Sequence, residues 1–280
     1  MSLTPIQPTD TRALFRPIAT ELVALLRGLA PADFEKPTIA GTWLVRDVVA
    51  HVVDFSMRRL SFHRDGLVPP PPKRPITSER EFVGFINGIN ADWVDASRRL
   101  SPRLLTDLVE KAAIELAAFF EALPMDAPAL FGVSWAGEQT SEGWFDVGRE
   151  FTELWHHQQQ IRLAVGAASL TDPRYLHAVL EIAMRGLPHA YRNIDAVEGD
   201  TITIDATGPA GGQWTLVRRA GWQILSGAPA APTACVRMAD DSAWRLLFNA
   251  LKGDAARGLV HIEGRANLAD PLLAARSVVV

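Results

Sequence analysis

One cysteine, Cys235, stands in 280 residues. An intramolecular disulfide is therefore excluded, which fits a reducing, cytoplasmic setting. Any thiol chemistry beyond Cys235 needs a thiol brought in from outside. Basic charge is also short: 28 Lys and Arg against 32 Asp and Glu give a net charge of −4. No cationic surplus exists to neutralise phosphates, so nucleic acid is not an expected partner. No stretch approaches the ~20 uninterrupted apolar residues that cross a bilayer, so no membrane partner is expected. Met1 to Asp10 has neither the basic region nor the apolar run of a secretory signal, and none is expected. A P-loop, a Rossmann glycine pattern and a Gly-x-Ser-x-Gly elbow are missing too, which leaves nucleotide and serine-hydrolase readings without support.

What is present is 48% hydrophobic residues, enough for a sizeable core in one large domain or two. The first half reads as helices. Asp10 or Thr11 can cap a helix carrying Leu14, Ile18, Leu22, Leu25 and Leu26 on one face. A second helix is expected over about 43–63, with Leu44, Val48, Val52, Phe55 and Phe62 at helical spacing. The Pro69–Pro72 run is a stiff connector that no helix crosses. A third helix starts at the cap Ser78 and runs to about Leu100. Ser101-Pro102 opens a fourth, with Ser as cap and Pro in the first turn. Residues 123–145 lack clean periodicity and read as a long loop or short hairpin. A further helix is expected over 146–165, ending at Gly166, and another over 173–187. From Thr201 the pattern changes to short β-rich runs with glycine-containing turns, at 201–206, 213–218, 222–225, 233–238 and 259–263, with a helix opening at Asp240-Asp241. The expected division is 1–190 for a helical domain and 195–280 for a small α+β domain.

The chemistry concentrates in Phe151-Thr-Glu-Leu-Trp-His-His-Gln-Gln-Gln-Ile-Arg162. Glu153 and His157 stand at i and i+4, which puts both side chains on one helical face, about 6 Å apart at Cβ. A helix wheel at ~100° per residue places Val147, Phe151, Leu154, Trp155 and Ile161 on the core-facing stripe. Glu150, Glu153 and His157 fall on one flank of it, and His156 falls on the opposite side, where solvent is expected. Upstream, Val48, Val52 and Phe55 define a stripe flanked by Asp47, His51, Asp54 and Arg58. Two helices that pack such stripes can bring their polar flanks together. His51, Glu153 and His157 would then offer two imidazoles and one carboxylate, three protein ligands with one position left open, the pattern of a catalytic rather than a structural zinc site. Glu150 is a rival to Glu153 on the same flank. Asp47 and Asp54, near one turn either side of His51, are candidate partners for orienting its ring.

The stretch Gly41-Thr-Trp-Leu-Val-Arg-Asp-Val-Val-Ala-His51, followed by Glu153-Leu-Trp-His-His157-Gln-Gln-Gln-Ile-Arg162, resembles the DinB-like superfamily. More narrowly it resembles the mycothiol-dependent maleylpyruvate isomerase branch. His261-Ile-Glu-Gly-Arg-Ala-Asn-Leu-Ala-Asp270 is similar to the closing strand, glycine turn and helix of that branch's C-terminal domain. The resemblance implies an α-helical N-terminal four-helix bundle followed by a small α+β C-terminal domain of sterol-carrier type. It implies a divalent metal, zinc above all, held by His51, Glu153 and His157, and a low-molecular-weight thiol such as mycothiol as co-substrate. It also implies a substrate-anion contact from a C-terminal arginine, for which Arg218, Arg219 and Arg237 all qualify, and it allows a homodimer.

The implied chemistry is a thiol-using isomerisation or S-transfer on a small electrophilic substrate. The thiolate, not the thiol, is the nucleophile. A metal ion with an open position lowers the pKa of a thiol it takes up. Addition, bond rotation and elimination would give cis–trans isomerisation; displacement without return would give S-transfer. Two other classes compete. One is a small-molecule or lipid binding protein with a vestigial metal site, for which Trp214, Trp222 and Trp244 supply aromatic surface. The other is a metal-dependent hydrolase, which would work without added thiol.

Overall fold

The computed structural model describes residues 3–278. Packing divides the chain into two compact units, each made of separate segments. One comprises Asp10–Leu130 and Glu153–Leu170. The other comprises the N-terminal segment up to Thr9, Phe131–Thr152, and the chain from Thr171. This grouping differs from the expected linear cut near residue 190. Phe131–Thr152 and the helix after Thr171 pack with the sheet, a long-range choice that local composition does not encode.

The first unit is helical. A 3₁₀ turn at Arg12–Leu14 leads into α1 (Phe15–Gly28), followed by α2 (Val45–Arg59), α3 (Glu79–Ser97) and α4 (Pro102–Ala122). It also contains the C-terminal half of α5 (Gly143–Val165). The caps follow the sequence signals. Ser78 Oγ accepts from the Glu81 N–H at 3.2 Å, and Ser101 Oγ accepts from the Leu104 N–H at 3.3 Å, each supplying an acceptor to a helix-start amide. At the start of α2 the Asp47 carboxylate accepts from the Leu44 N–H at 3.0 Å. Helix α4 packs against both α1 and α2, and α2 also packs on α3. Phe15 and Phe120 meet at the α1–α4 contact with ring centroids 4.7 Å apart, a pairing worth about 0.5–1.5 kcal/mol beyond burial. Trp93 on α3 donates its indole N–H to the Ala50 carbonyl on α2 at 2.8 Å, beside His51 in sequence. The second helix ends as α at Arg59 and continues as a π turn over Leu60–Arg64. Pro69–Pro72 lies exposed without regular structure.

The second unit carries a six-stranded sheet in the order β1-β4-β3-β2-β5-β6. The strands are β1 (Thr4–Pro5), β2 (Thr201–Thr207), β3 (Gly212–Arg218), β4 (Trp222–Ser226), β5 (Ala234–Ala239) and β6 (His261–Gly264). Only β2 and β5 pair in parallel; the other neighbours are antiparallel. The period-2 pattern builds its inner face: Ile202, Ile204 and Ala206 are buried, and register sets Ile204 between Trp214 and Val236 and Ile202 between Leu216 and Ala234. Helices α6 (Pro173–Met184) and α8 (Asp240–Leu247) pack on each other. With Ile204 and Met238 they close a gap that their side chains Met184, Ala243, Leu246 and Leu247 fill. Shorter helices α7 (Leu187–Ala190), α9 (Gly253–Arg257) and α10 (Ala266–Ala269) complete the unit. Residues 123–145 form no hairpin: a 3₁₀ turn at Ser134–Ala136 precedes α5, which begins at Gly143 rather than at Asp146. Among the described residues no helix is long and apolar enough to cross a membrane.

Candidate metal centre

The site lies within the helical unit and draws on two helices. His51 comes from the middle of α2, and Glu153 and His157 come from α5. One ligand atom from each of the three residues lies within 4.8 Å of the others. His157 Nε2 is 3.3 Å from Glu153 Oε2, as the i,i+4 spacing requires. The imidazoles of His51 and His157 meet edge to face with centroids 4.6 Å apart. Trp43 and Phe55 flank His51 at 5.1 and 5.9 Å between centroids, which walls the ring off from water.

The donor set fits a divalent ion. Two donors at zinc bond lengths of about 2.0–2.1 Å and a tetrahedral angle stand about 3.3 Å apart, the spacing between His157 Nε2 and Glu153 Oε2. His51 Nδ1 and His157 Nε2 are both buried without a hydrogen-bond partner. A buried polar atom left so costs about 1–3 kcal/mol, a cost that coordination removes at a nitrogen that binds the ion. Burial first, then the nearby His157 and Arg58, holds the His51 pKa well below its ordinary value of 6.5. The neutral ring therefore keeps a lone pair at neutral pH.

The remaining expected residues are placed as follows. Glu150 is buried and accepts from Arg149 at 2.7 Å, and it is not among the three that converge. Asp47 and Asp54 are engaged elsewhere: Asp47 at the start of α2, and Asp54 with Arg58 at 3.0 Å. Neither carboxylate hydrogen-bonds His51 Nδ1. Arg218 ends β3, Arg219 sits in the turn that leads to β4, and Arg237 lies on β5 with its guanidinium on Asp205 at 2.8 Å. All three belong to the sheet unit, whereas His51, Glu153 and His157 belong to the helical one.

His156 corrects the wheel. It was expected at solvent, and it is buried, only 5% exposed. Every residue from Leu154 to Ile161 is buried, so this part of α5 has no solvent face and "opposite the apolar stripe" does not mean outside. Burial, then the neighbouring His157, pushes the His156 pKa down to about 3, so the ring is neutral. The three glutamine side chains of this enclosed segment all find polar partners. Gln158 donates to the Ile18 carbonyl at 3.0 Å and accepts from Arg162. Gln159 accepts from the Leu170 N–H at 3.0 Å and donates to the Leu170 carbonyl at 3.4 Å. Gln160 lies between imidazoles, with Oε1 2.9 Å from His157 Nδ1 and Nε2 3.3 Å from His156 Nε2. The signal that could have revealed this lining is the Gln158-Gln159-Gln160 run directly after the motif, three consecutive amides that cover every side of the helix.

Residues 15–162, more than half of the chain, match the family described as the mycothiol maleylpyruvate isomerase N-terminal domain. The chain belongs to that family. The matched span contains His51, Glu153 and His157. A crystal structure of a mutant of the mycothiol-dependent maleylpyruvate isomerase is similar with a TM-score of 0.55 and 14% identity, over 90% of this chain and 91% of that one. A second crystal structure of the mycothiol-dependent maleylpyruvate isomerase aligns at a TM-score of 0.47 and 14% identity, over 84% and 86%. At that identity the first likeness is one of fold: a mostly helical N-terminal region followed by a sheet-containing C-terminal region. No curated protein matches the chain in sequence.

Proposed function

We propose that this member of the mycothiol maleylpyruvate isomerase N-terminal domain family is a divalent-metal-dependent, thiol-using isomerase or S-transferase acting on a small electrophilic substrate. His51, Glu153 and His157 hold the metal, with zinc as the ion and mycothiol as the thiol. The observation that supports it most is the convergence of two imidazoles and a carboxylate within 4.8 Å, with two buried ring nitrogens lacking hydrogen bonds. A divalent ion with an open position supplies the Lewis acidity that keeps a thiol as its thiolate near neutral pH.

The chain's own residues do the rest. Trp43 and Phe55 shield His51 and limit water at the centre. Arg58, held by Asp54 and by the Asn90 side chain at 2.9 Å, places a positive field on His51. A substrate anion is met by one of Arg218, Arg219 and Arg237 from the sheet unit. Of these, Arg237 already has a carboxylate partner in Asp205, which leaves its charge partly neutralised.

Metal content and thiol dependence test the proposal together. Purified wild type carries near-stoichiometric zinc by elemental mass spectrometry, and His51→Ala, Glu153→Ala and His157→Ala each lose it. With mycothiol present the wild type isomerises maleylpyruvate or conjugates an activated halide, and omission of the thiol stops turnover. A wild type that takes up no divalent metal defeats the proposal, and turnover of an ester or amide without thiol converts it to a hydrolase.

A further inference from the structure

Gln160 follows His157 by three residues on α5, and both ends of its amide meet an imidazole. A carbonyl oxygen can only accept. With Oε1 2.9 Å from His157 Nδ1, that nitrogen is the one that carries the proton. In the neutral ring, with one N–H and one lone pair, a proton on Nδ1 puts the lone pair on Nε2, and Nε2 is the nitrogen that stands 3.3 Å from Glu153 Oε2. The other end of the amide can only donate. Its partner, His156 Nε2 at 3.3 Å, therefore presents a lone pair.

Turning the amide end for end would reverse both assignments. An NH₂ group against His157 Nδ1 needs a lone pair there, and the His157 proton would have to move to Nε2, facing Glu153 and His51. The His156 proton would have to move as well. One amide thus couples the tautomers of two adjacent histidines, and all three side chains are buried, out of reach of competing water. The neighbouring amides cannot substitute, because Gln158 is committed to Ile18 and Arg162 and Gln159 to Leu170.

We propose that Gln160 is a positioning residue for the metal centre: anchored by His156, its amide fixes His157 in the Nδ1–H tautomer and directs the Nε2 lone pair at the ion shared with His51 and Glu153. This rests on the metal-centre reading of the same three residues. Outer partners of this kind orient a ligating ring, and their loss commonly costs metal affinity about 10–100-fold.

The test compares wild type, Gln160→Leu and Gln160→Glu by two readouts. One is zinc affinity by competition with a chromophoric chelator. The other is the His157 tautomer in metal-free protein by long-range ¹H–¹⁵N correlation. Gln160→Leu, close in volume but without an acceptor, lowers zinc affinity about 10–100-fold and releases His157 to the Nε2–H form that Glu153 can accept from. Gln160→Glu keeps an acceptor at the same place, so affinity stays within about threefold of wild type or rises. An affinity for Gln160→Leu within about twofold of wild type overturns the assignment, as does an Nε2–H His157 in the wild type. If Gln160→Leu does not fold, a loss of about tenfold or more in Gln160→Glu overturns it instead. If the wild type takes up no zinc, the metal-centre reading falls by itself. An Nδ1–H His157 that switches in Gln160→Leu still supports the positioning role, and an unchanged tautomer overturns it.

Discussion

His157 Nε2 and Glu153 Oε2 stand 3.3 Å apart with no hydrogen bond between them, one turn apart on the same helix. In the proposed centre the pair serves as two donors to a common ion rather than as donor and acceptor to each other. Zinc added to metal-free protein should therefore stabilise the fold. At a free concentration 100 times Kd, linkage gives about 2.7 kcal/mol. For a chain of this size that is a rise in Tm of roughly 5–10 °C. Differential scanning fluorimetry with and without zinc checks this. His157→Ala should show no shift, and an unshifted wild type would contradict the arrangement.

Acid should destabilise the metal-free protein well before its carboxylates titrate. Burial lowers the pKa of His51, and burial holds His156 down to about 3, against an ordinary value of 6.5. A histidine with a depressed folded pKa binds a proton more readily in the unfolded chain. Its contribution is intact above about pH 6.5 and declines as pH falls through that value toward the folded pKa. For His156 the slope is about 1.4 kcal/mol per pH unit in that window. Urea midpoints at pH 7.5, 6.0 and 5.0 should fall steadily, and His156→Gln should show a shallower decline. Equal slopes in the two proteins would mean that the buried ring at 156 does not govern the acid limb.

The legible parts of this molecule are those whose causes are local. Ser78 and Ser101 announce helix starts because the capping hydrogen bond lies within three residues, and the side chains make those bonds. The Glu153–His157 pairing is equally local. His51 lies a hundred residues away from that pair, and spacing alone offered it only as a candidate; the family resemblance singled it out. His156 was misplaced because a wheel infers outside from the face opposite the apolar stripe, and α5 is enclosed on that face too. Phe131–Thr152 joins the sheet unit through the Ile182 side chain, which clusters with Val133, Trp135 and Phe145 and lies against Gly148, contacts that no local pattern announces.

Gln159 separates structural amides from the one assigned to the metal. Its side chain takes both backbone groups of Leu170, accepting from the N–H and donating to the carbonyl. Gln159→Leu leaves the buried Leu170 N–H without that partner, while the Leu170 carbonyl keeps the Trp155 indole N–H at 3.0 Å, and the loss should cost about 1–3 kcal/mol of stability. Zinc affinity of the folded fraction should stay at the wild-type level. Chemical denaturation and chelator competition on the same preparation read the two effects apart. A loss of zinc affinity comparable to that of Gln160→Leu would show that the helix end, rather than one amide, governs the centre.

Gly264 closes β6 with φ +78°, and its register partner is Ala234 on β5. A Cβ built there would lie 2.4 Å from the Thr233 carbonyl oxygen, a backbone atom that cannot swing aside. The same carbonyl accepts from the Arg265 N–H at 3.0 Å, and Arg265 holds the buried Asp200 carboxylate at 2.8 Å. Gly264→Ala therefore combines a left-handed backbone disfavoured for alanine with a clash against a hydrogen-bonded carbonyl. It should destabilise the sheet unit by about 2 kcal/mol or more. The centre on α2 and α5 draws no residue from this edge, so zinc stoichiometry of the folded variant should match wild type. Hydrogen exchange should show the change first in the β5–β6 amides, and protection there equal to wild type would refute the steric argument.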